Sequence, residues 1–339
     1  MPPLGFDPRR WASSTNVQRT NVGPPLRGYY NAVAFHEAAA KAGLPAYSLN
    51  GDAFSDSLKE EALRLIQEKL GGVDLVIYSL AAPRRIHPKT GVVHQSVLKP
   101  TGEPFTSKTI DLNTGQISEI TLEPASGREV ADTIEVMGGE DFAMWIDALL
   151  RADLLAPGAR AAAFSYIGPE LTHPVYRDGS IGEAKRHLEL TAQNLRKRLE
   201  EAIDGAAYVS VNKAVVTQAS AAIPVVPLYL SILYPVMEER GVHEAPIDQM
   251  NRLLRDHLAP GRQPQLDEEG RIRLDDKELR PDVQAEVLRR WEQITTETLD
   301  QLADFRRFQR EFRQLFGFEV EGVDYTQPVE VDLRLPENG

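Results

Sequence analysis

The run Val73-Asp-Leu-Val-Ile-Tyr-Ser-Leu80 is apolar at nearly every position. It is entered from a helix-like segment, Ser55 or Asp56 to about Leu70, that Gly71-Gly72 closes. A strand with apolar residues on both faces must be covered on both, the condition of a parallel sheet flanked by helices. Upstream, Tyr30 to Ala42 carries Val33, Ala34, Ala38 and Ala39 at helical spacing. Pro45-Ala-Tyr-Ser-Leu49 then reads as a short buried strand, followed by the turn Asn50-Gly51-Asp52-Ala53. Strand, helix, strand in this order is a βαβ unit, so an α/β fold with a doubly wound parallel sheet is expected. Arg160-Ala-Ala-Ala-Phe-Ser-Tyr-Ile167 and Ala207-Tyr-Val-Ser-Val211 supply further strands, and Val329 to Leu335 a late one.

From Arg84 to about Ser126 the helical period is lost. Lys89-Thr90-Gly91 and Asn113-Thr114-Gly115 are turn signals between alternating segments, which predicts small antiparallel hairpins inserted after a sheet strand. Helices are expected near Glu129 and Asp141, from about Ile181 to Ile203, and over about 218–237, 245–257, 281–296 and 304–315. With no linker and no repeat, residues 28–339 read as one α/β domain with a helical lid. Residues 1–27 differ: they hold Arg9, Arg10, Arg19 and Arg27 against a single acid, Asp7, and are expected to be an atypical, disordered segment.

Composition removes several function classes. The chain has 339 residues, no Cys and a formal charge of −12, which excludes a disulfide scaffold, a thiolate metal site and a Cys nucleophile. The acidic balance argues against a nucleic-acid partner. No apolar run approaches the roughly 20 residues of a membrane span, and the start lacks the apolar core of a signal peptide. A cytoplasmic enzyme is expected, without membrane attachment. The seven His form no metal-ligand spacing, so no metal is expected.

Chemistry concentrates in the segment from Phe164 to Lys185, which leaves a buried strand at its carboxyl end, where ligands collect in open α/β sheets. Ser180 and Glu183 have the spacing of a capping box, so a helix should start near Ile181, with Tyr176 in the loop before it and Lys185 in its second turn. On one continuous helix the two would stand about 13.5 Å apart along the axis, on nearly opposite faces. Cooperation therefore requires the loop to fold Tyr176 back over the helix start, with Gly179 and Gly182 allowing the turn. A neighbouring ammonium would favour the phenolate, and such a Tyr can donate a proton or hydrogen bond to developing oxygen charge. Read from spacing alone, an exposed loop Tyr and a surface Lys are the simpler reading, because both residue types are common. Asp52 likewise reads as a turn or cap residue, and Arg84-Arg85 as solvated loop charge. Ile223 to Met237 is apolar nearly all round, as in a buried helix.

Tyr-x8-Lys with its surroundings, Tyr166-Ile-Gly-Pro-Glu-Leu-Thr172 and Asp178-Gly-Ser-Ile-Gly-Glu-Ala-Lys185, resembles the trans-2-enoyl-CoA reductase / FabV-type enoyl-ACP reductase family. So do Asn50 to Asp56, Tyr78 to Arg85 with His87 to Gly91, Val136 to Asp141, Ala214 to Ser220, Phe316-Gly317-Phe318 and Gly322 to Tyr325. The resemblance implies a monomeric Rossmann-type reductase that saturates the 2,3 double bond of enoyl-CoA or enoyl-acyl carrier protein with NADH, in fatty acid synthesis. It implies Tyr176 as proton donor, Lys185 as catalytic and cofactor-contacting lysine, and Tyr166 as substrate-binding tyrosine. Asp52 and Ala53 would contact the adenine side, Leu80 and Ala81 the cofactor at a strand end, and Ala214, Val215, Val216 and Thr217 the nicotinamide. The Ile223 to Met237 helix becomes the wall of an acyl pocket.

The family's first strand, Gly-rich phosphate loop and second strand have no counterpart before Tyr29-Tyr30-Asn31. Gly138-Gly139 opens a helix, but Glu140 and Asp141 there would repel phosphate. Two expectations follow: a reductase whose start is truncated or misassigned, or, as the alternative, a catalytically impaired protein that binds acyl thioesters. A carbonyl-reducing short-chain dehydrogenase is disfavoured by the nine-residue spacing.

Overall fold

A computed structural model describes residues 11–12, 27–329 and 333, with backbone only for 11, 12 and 27. Strand β1 is Trp11–Ala12, helix α1 is Arg27–Lys41 and α2 is Asp56–Lys69. Next come β2 (Val73–Tyr78), β3 (Arg84–Ile86), β4 (Val93–Gln95), β5 (Phe105–Ile110) and β6 (Ile117–Leu122). Helices α3 (Gly127–Met137) and α4 (Glu140–Arg151) lead to β7 (Leu155–Ser165), the short α5 (His173–Tyr176), the long α6 (Ser180–Ile203) and β8 (Ala206–Val211). The remainder is α7 (Gln218–Ala222), α8 (Val226–Glu239), α9 (Pro246–Arg252), β9 (Ile272–Arg273), α10 (Pro281–Gln293), α11 (Leu299–Leu302) and α12 (Phe305–Gln314).

Five strands form one parallel sheet in the order β1-β2-β7-β8-β9. Its centre is the β2–β7–β8 ladder, with Tyr78 opposite Ala163 and Ala163 opposite Val209. Ala161, Ala162 and Ala163 are 1%, 0% and 0% exposed, and these small residues let helices approach the sheet. On one face Ala161, Ala163, Val209 and Val211 pack against Phe142 and Ile146 of α4 and Leu195 and Leu199 of α6. On the other, Leu75, Ala162, Tyr208 and Ile272 meet Leu253 and Leu258. This is the two-faced cover predicted from the apolar run. Ser55 caps α2 by accepting from the Leu58 N–H, and Gly71 takes φ +70° to end it. The two expected hairpins are β3–β4 and β5–β6.

Helix α8 is buried all round from Val226 to Tyr234 and is enclosed by α10, α11, α12 and the β5–β6 hairpin. Pro235 lies inside it, and a proline cannot bond the carbonyl four residues back. The carbonyl so released, that of Ser231, accepts instead from the Asp304 N–H at 2.8 Å. The expected helix over 218–237 is instead two helices, α7 and α8, separated at Ile223-Pro224-Val225.

One sequence expectation changes, and two others fall largely outside the described residues. Pro45 to Leu49 is not a buried strand: it runs irregularly and half-exposed, because no described strand lies alongside to accept its ladder hydrogen bonds. Within 1–27, Trp11–Ala12 forms a strand parallel to β2 (Trp11 opposite Leu75), and 1–10 and 13–26 lie outside the described residues. The late strand from Val329 falls mostly outside them as well; Val329 is exposed and unpaired in any sheet, and Leu333 packs against Tyr29, Ala32 and Val33.

Candidate active site

Because β2, β7 and β8 are parallel, their carboxyl ends share one edge of the sheet. Leu80 and Ala81 follow β2, Tyr166 follows β7, and Ala214, Val215, Val216 and Thr217 follow β8. Leu80 is half-buried and Ala81 exposed. Thr217 caps α7, accepting from the Ser220 N–H at 3.0 Å.

Tyr176 ends α5 and is folded back onto the first turns of α6. Its ring meets the Tyr166 ring edge-on, at 4.9 Å between centroids and 86° between planes. The Lys185 ammonium lies 4.9 Å from the Tyr176 ring centre and 5.7 Å from that of Tyr166. Three residues, Arg177, Asp178 and Gly179, thus close the nine-residue spacing. The glycines serve through space, not through unusual φ: Gly179 has φ −95°. A Cβ on Gly182 would overlap the Arg177 carbonyl oxygen, and one on Gly179 would stand 2.5 Å from the Val175 oxygen. Gly182→Ala is expected to push this turn outward and cut turnover about tenfold or more, since ångström displacements near the reacting groups are costly. Steady-state rates beside a melting curve check it, and an unchanged kcat removes the requirement.

The predicted capping box is not formed. Gly179 is the N-cap of α6 without a side-chain bond. Ser180 Oγ instead donates to the Val97 carbonyl at 2.5 Å and accepts from the Lys99 N–H at 3.3 Å, while Glu183 pairs with Arg186. Buried at 0% exposure, the hydroxyl serves the loop before β5, which offers unpaired backbone groups.

The electrostatics also differ from expectation. Burial, and next the charge of Glu278, raise the Tyr176 pKa above its ordinary value, so the phenol keeps its proton. Burial lowers the Lys185 pKa to about 7. The Lys185 Nζ lies over both rings, and no hydrogen bond from it to either phenol oxygen is present among the described residues.

Beneath Tyr166 lies a network that sequence reasoning missed. Glu278, 0% exposed, accepts from Tyr166 Oη at 3.1 Å and Tyr229 Oη at 2.7 Å through one oxygen. Its other oxygen accepts from the Ala214 N–H at 2.7 Å. Lys213 Nζ, buried beside it, donates to the Ala214 carbonyl at 2.9 Å and lies 4.5 Å from the Tyr234 ring centre; burial lowers its pKa to about 8. Asp275-Asp276-Lys277-Glu278 reads as a solvated charge run, and nothing in its spacing distinguishes the last residue.

A second cluster holds Asp52 and Ala53, and no described contact joins it to the tyrosines. Asp52 Oδ1 accepts from the Phe54 N–H at 3.0 Å, a local turn. The Ala53 carbonyl accepts from Lys59 Nζ at 3.2 Å and Trp145 Nε1 at 3.2 Å. Lys59 in turn bonds Asp141 at 2.7 Å, and Tyr78 Oη donates to the other Asp141 oxygen at 3.1 Å. Asp141 is thus a buried anchor paired to a cation, not a repulsive group at a phosphate site. Arg85 is likewise no solvated charge: at 1% exposure it donates to the Glu135 carbonyl at 2.6 Å, pairs with Glu140 at 2.9 Å and lies over Phe54. His87, Glu135 and Glu140 bring ligand atoms within 4.8 Å of one another. Arg85 already supplies the cation there.

With this geometry in hand, comparison with known proteins is informative. The family profile of the trans-2-enoyl-CoA reductase catalytic region matches residues 24–259, and that of an enoyl reductase FAD binding domain matches 266–329. The second span does not fit a flavin dinucleotide: its glycines, Gly270, Gly317 and Gly322, sit in separate turns, not in a Gly-rich strand-to-helix loop. Enoyl-[acyl-carrier-protein] reductase [NADH] of Coxiella burnetii is 53% identical over 310 residues, 91% of this chain and 76% of that protein. Its counterpart in Flavobacterium johnsoniae is 56% identical over 298 residues, 88% of this chain and 75% of the relative. Among solved structures, Clostridium acetobutulicum trans-2-enoyl-CoA reductase in complex with NADH superposes with a TM-score of 0.89 at 42% identity, covering 94% of this chain and 80% of that one. The Treponema denticola trans-2-enoyl-CoA reductase in complex with NAD gives 0.87 at 46%, covering 95% and 80%. A sheet of this topology and matches of this extent place the chain in the trans-2-enoyl-CoA reductase family.

Proposed function

We propose that this protein uses NADH to reduce the 2,3 double bond of trans-2-enoyl thioesters, enoyl-CoA or enoyl-acyl carrier protein, in fatty acid synthesis. The observation that carries the reading is the enclosed Tyr166–Tyr176–Lys185 cluster at the carboxyl ends of parallel strands. Room for a cofactor at that edge is supported by Ser165 Oγ, a buried hydroxyl without a partner at the end of β7. Leu80, Ala81, Ala214, Val215, Val216 and Thr217 would line the cofactor, with Lys185 beside it and Asp52 and Ala53 at the adenine.

When bound, NADH supplies the hydride that the β-carbon accepts. Tyr176, held as a neutral phenol, hydrogen-bonds the thioester oxygen as enolate charge develops there and helps protonate the product. Tyr166 orients the thioester. Lys185, with its pKa lowered to about 7, adds positive potential near both rings only while protonated, and the buried α8 forms the acyl wall. A monomer in the cytoplasm is part of the same proposal; among the described residues no helix is long and apolar enough to cross a membrane. The alternative, an acyl-thioester binder without catalysis, is not favoured, since the relatives are named as reductases.

The test is NADH oxidation with crotonyl-CoA as substrate and a simple ketone as control. Loss of NADH absorbance with the thioester and none with the ketone is expected. Tight crotonyl-CoA binding without NADH oxidation would sink the proposal and restore the alternative.

A further inference from the structure

Resting on the assignment of Tyr166 and Tyr176 above, we infer that Glu278 is a positioning residue, which claims the Tyr166 proton and ties the substrate-side tyrosine to the chain that passes the nicotinamide. Its carboxylate joins three parts of the site. Tyr166 follows β7, Ala214 follows β8, and Tyr229 belongs to α8, the acyl wall. Proton directions follow from the donors present. The Ala214 N–H can only donate, and Gln284 Nε2 donates to Tyr229 Oη at 3.2 Å, so the Tyr229 proton points to Glu278. Burial, the largest influence, raises the Glu278 pKa; against it, the Ala214 N–H and the Tyr229 hydroxyl donate to the carboxyl group and the Lys213 charge lies near it, which favour the ionised form.

The consequence is a division of labour between two adjacent phenols. With Glu278 ionised, Tyr166 gives its proton to the carboxylate, so it orients a thioester through ring packing and by accepting from donor groups of the ligand. The Tyr176 hydroxyl enters no hydrogen bond among the described residues, so its proton is free for the substrate oxygen. The same carboxylate holds the Ala214 backbone, so the cofactor side and the substrate side share one anchor. Glu278 need not touch substrate to do this; it acts through Tyr166 and Ala214.

The experiment is a double-mutant cycle in the full chain with Glu278→Gln and Tyr166→Phe, read by equilibrium binding of butyryl-CoA and by the KM for crotonyl-CoA. A glutamine keeps the shape but loses the charge and one acceptor. Each single variant is expected to weaken binding and raise KM about tenfold, the size of one charge-assisted hydrogen bond. The double variant should be no worse than the worse single. A merely structural Glu278 would lower the melting temperature and leave the two binding losses additive, which overturns the inference. Should Glu278→Gln not fold, Tyr229→Phe replaces it: the carboxylate stays but loses one donor, and coupling to Tyr166→Phe is again expected. Coupled binding losses in a chain that oxidises no NADH would leave the inference standing and overturn the proposed function instead.

Discussion

Tyr176→Phe lowers kcat for crotonyl-CoA reduction by about 10²–10⁴-fold, the range for loss of a positioned general acid, with little change in melting temperature. The two halves of this result have separate causes. Phe keeps the ring, and with it the edge-on contact to Tyr166 and the ammonium of Lys185 over its face. The hydroxyl it removes makes no hydrogen bond among the described residues, so folding loses no partnered group there. What disappears is a proton held in an enclosed site, where a hydrogen bond to developing oxygen charge is stronger than in water. Single-turnover rates with pre-bound NADH separate this chemical defect from weaker binding. A kcat within tenfold of the parent would remove Tyr176 from the reaction.

Lys59→Met is expected to destabilise the fold by about 3–5 kcal/mol, the cost of leaving one charge of a buried pair alone. The side chains of Lys59 and Asp141 are only 5% and 2% exposed and meet at 2.7 Å. Burial already raises the Asp141 pKa, and without the ammonium the carboxyl takes up a proton. Lys59 also donates to the Ala53 and Phe54 carbonyls, so the loop with Asp52 loses two ties. Lys59→Met combined with Asp141→Leu should recover part of the stability, because an apolar pair avoids the desolvation cost of a lone charge, while the Tyr78 hydroxyl still lacks its acceptor. The loop stays untied, so a raised KM for NADH should persist in the double variant. Denaturant melts and NADH kinetics on the same samples check both. A single-variant cost below about 1 kcal/mol, the range of surface pairs, would show that the pair is not desolvated as its geometry states.

Much of the fold was legible because it depends on local pattern. The all-apolar Val73 to Leu80 run, the Ser55 cap, the Gly-centred hairpin turns and the order of strands and helices are short-range signals. The misplaced elements lacked what pattern cannot supply. Pro45 to Leu49 is apolar enough for a strand but has no described neighbour to pair with. Ser180 and Glu183 have capping-box spacing, yet the Val97 carbonyl, 83 residues away in sequence, captures the hydroxyl.

The site divides the same way. Tyr176, Lys185 and Tyr166 stood out through position after a buried strand and through family motifs. Glu278, Lys213, Lys59 and Asp141 did not, because a charged residue reads as solvated until its surroundings are known.

By itself, then, the sequence determined a parallel α/β sheet, the edge at which ligands gather and the tyrosine–lysine segment placed there. These follow from side-chain period and chain order, which are properties of neighbours along the chain. Only the tertiary structure decided that burial raises the Tyr176 pKa, that Lys185 lies over two tyrosine rings and that Glu278 and Asp141 are buried anchors. Desolvation and partner geometry set those properties, and both arise from residues far apart in sequence.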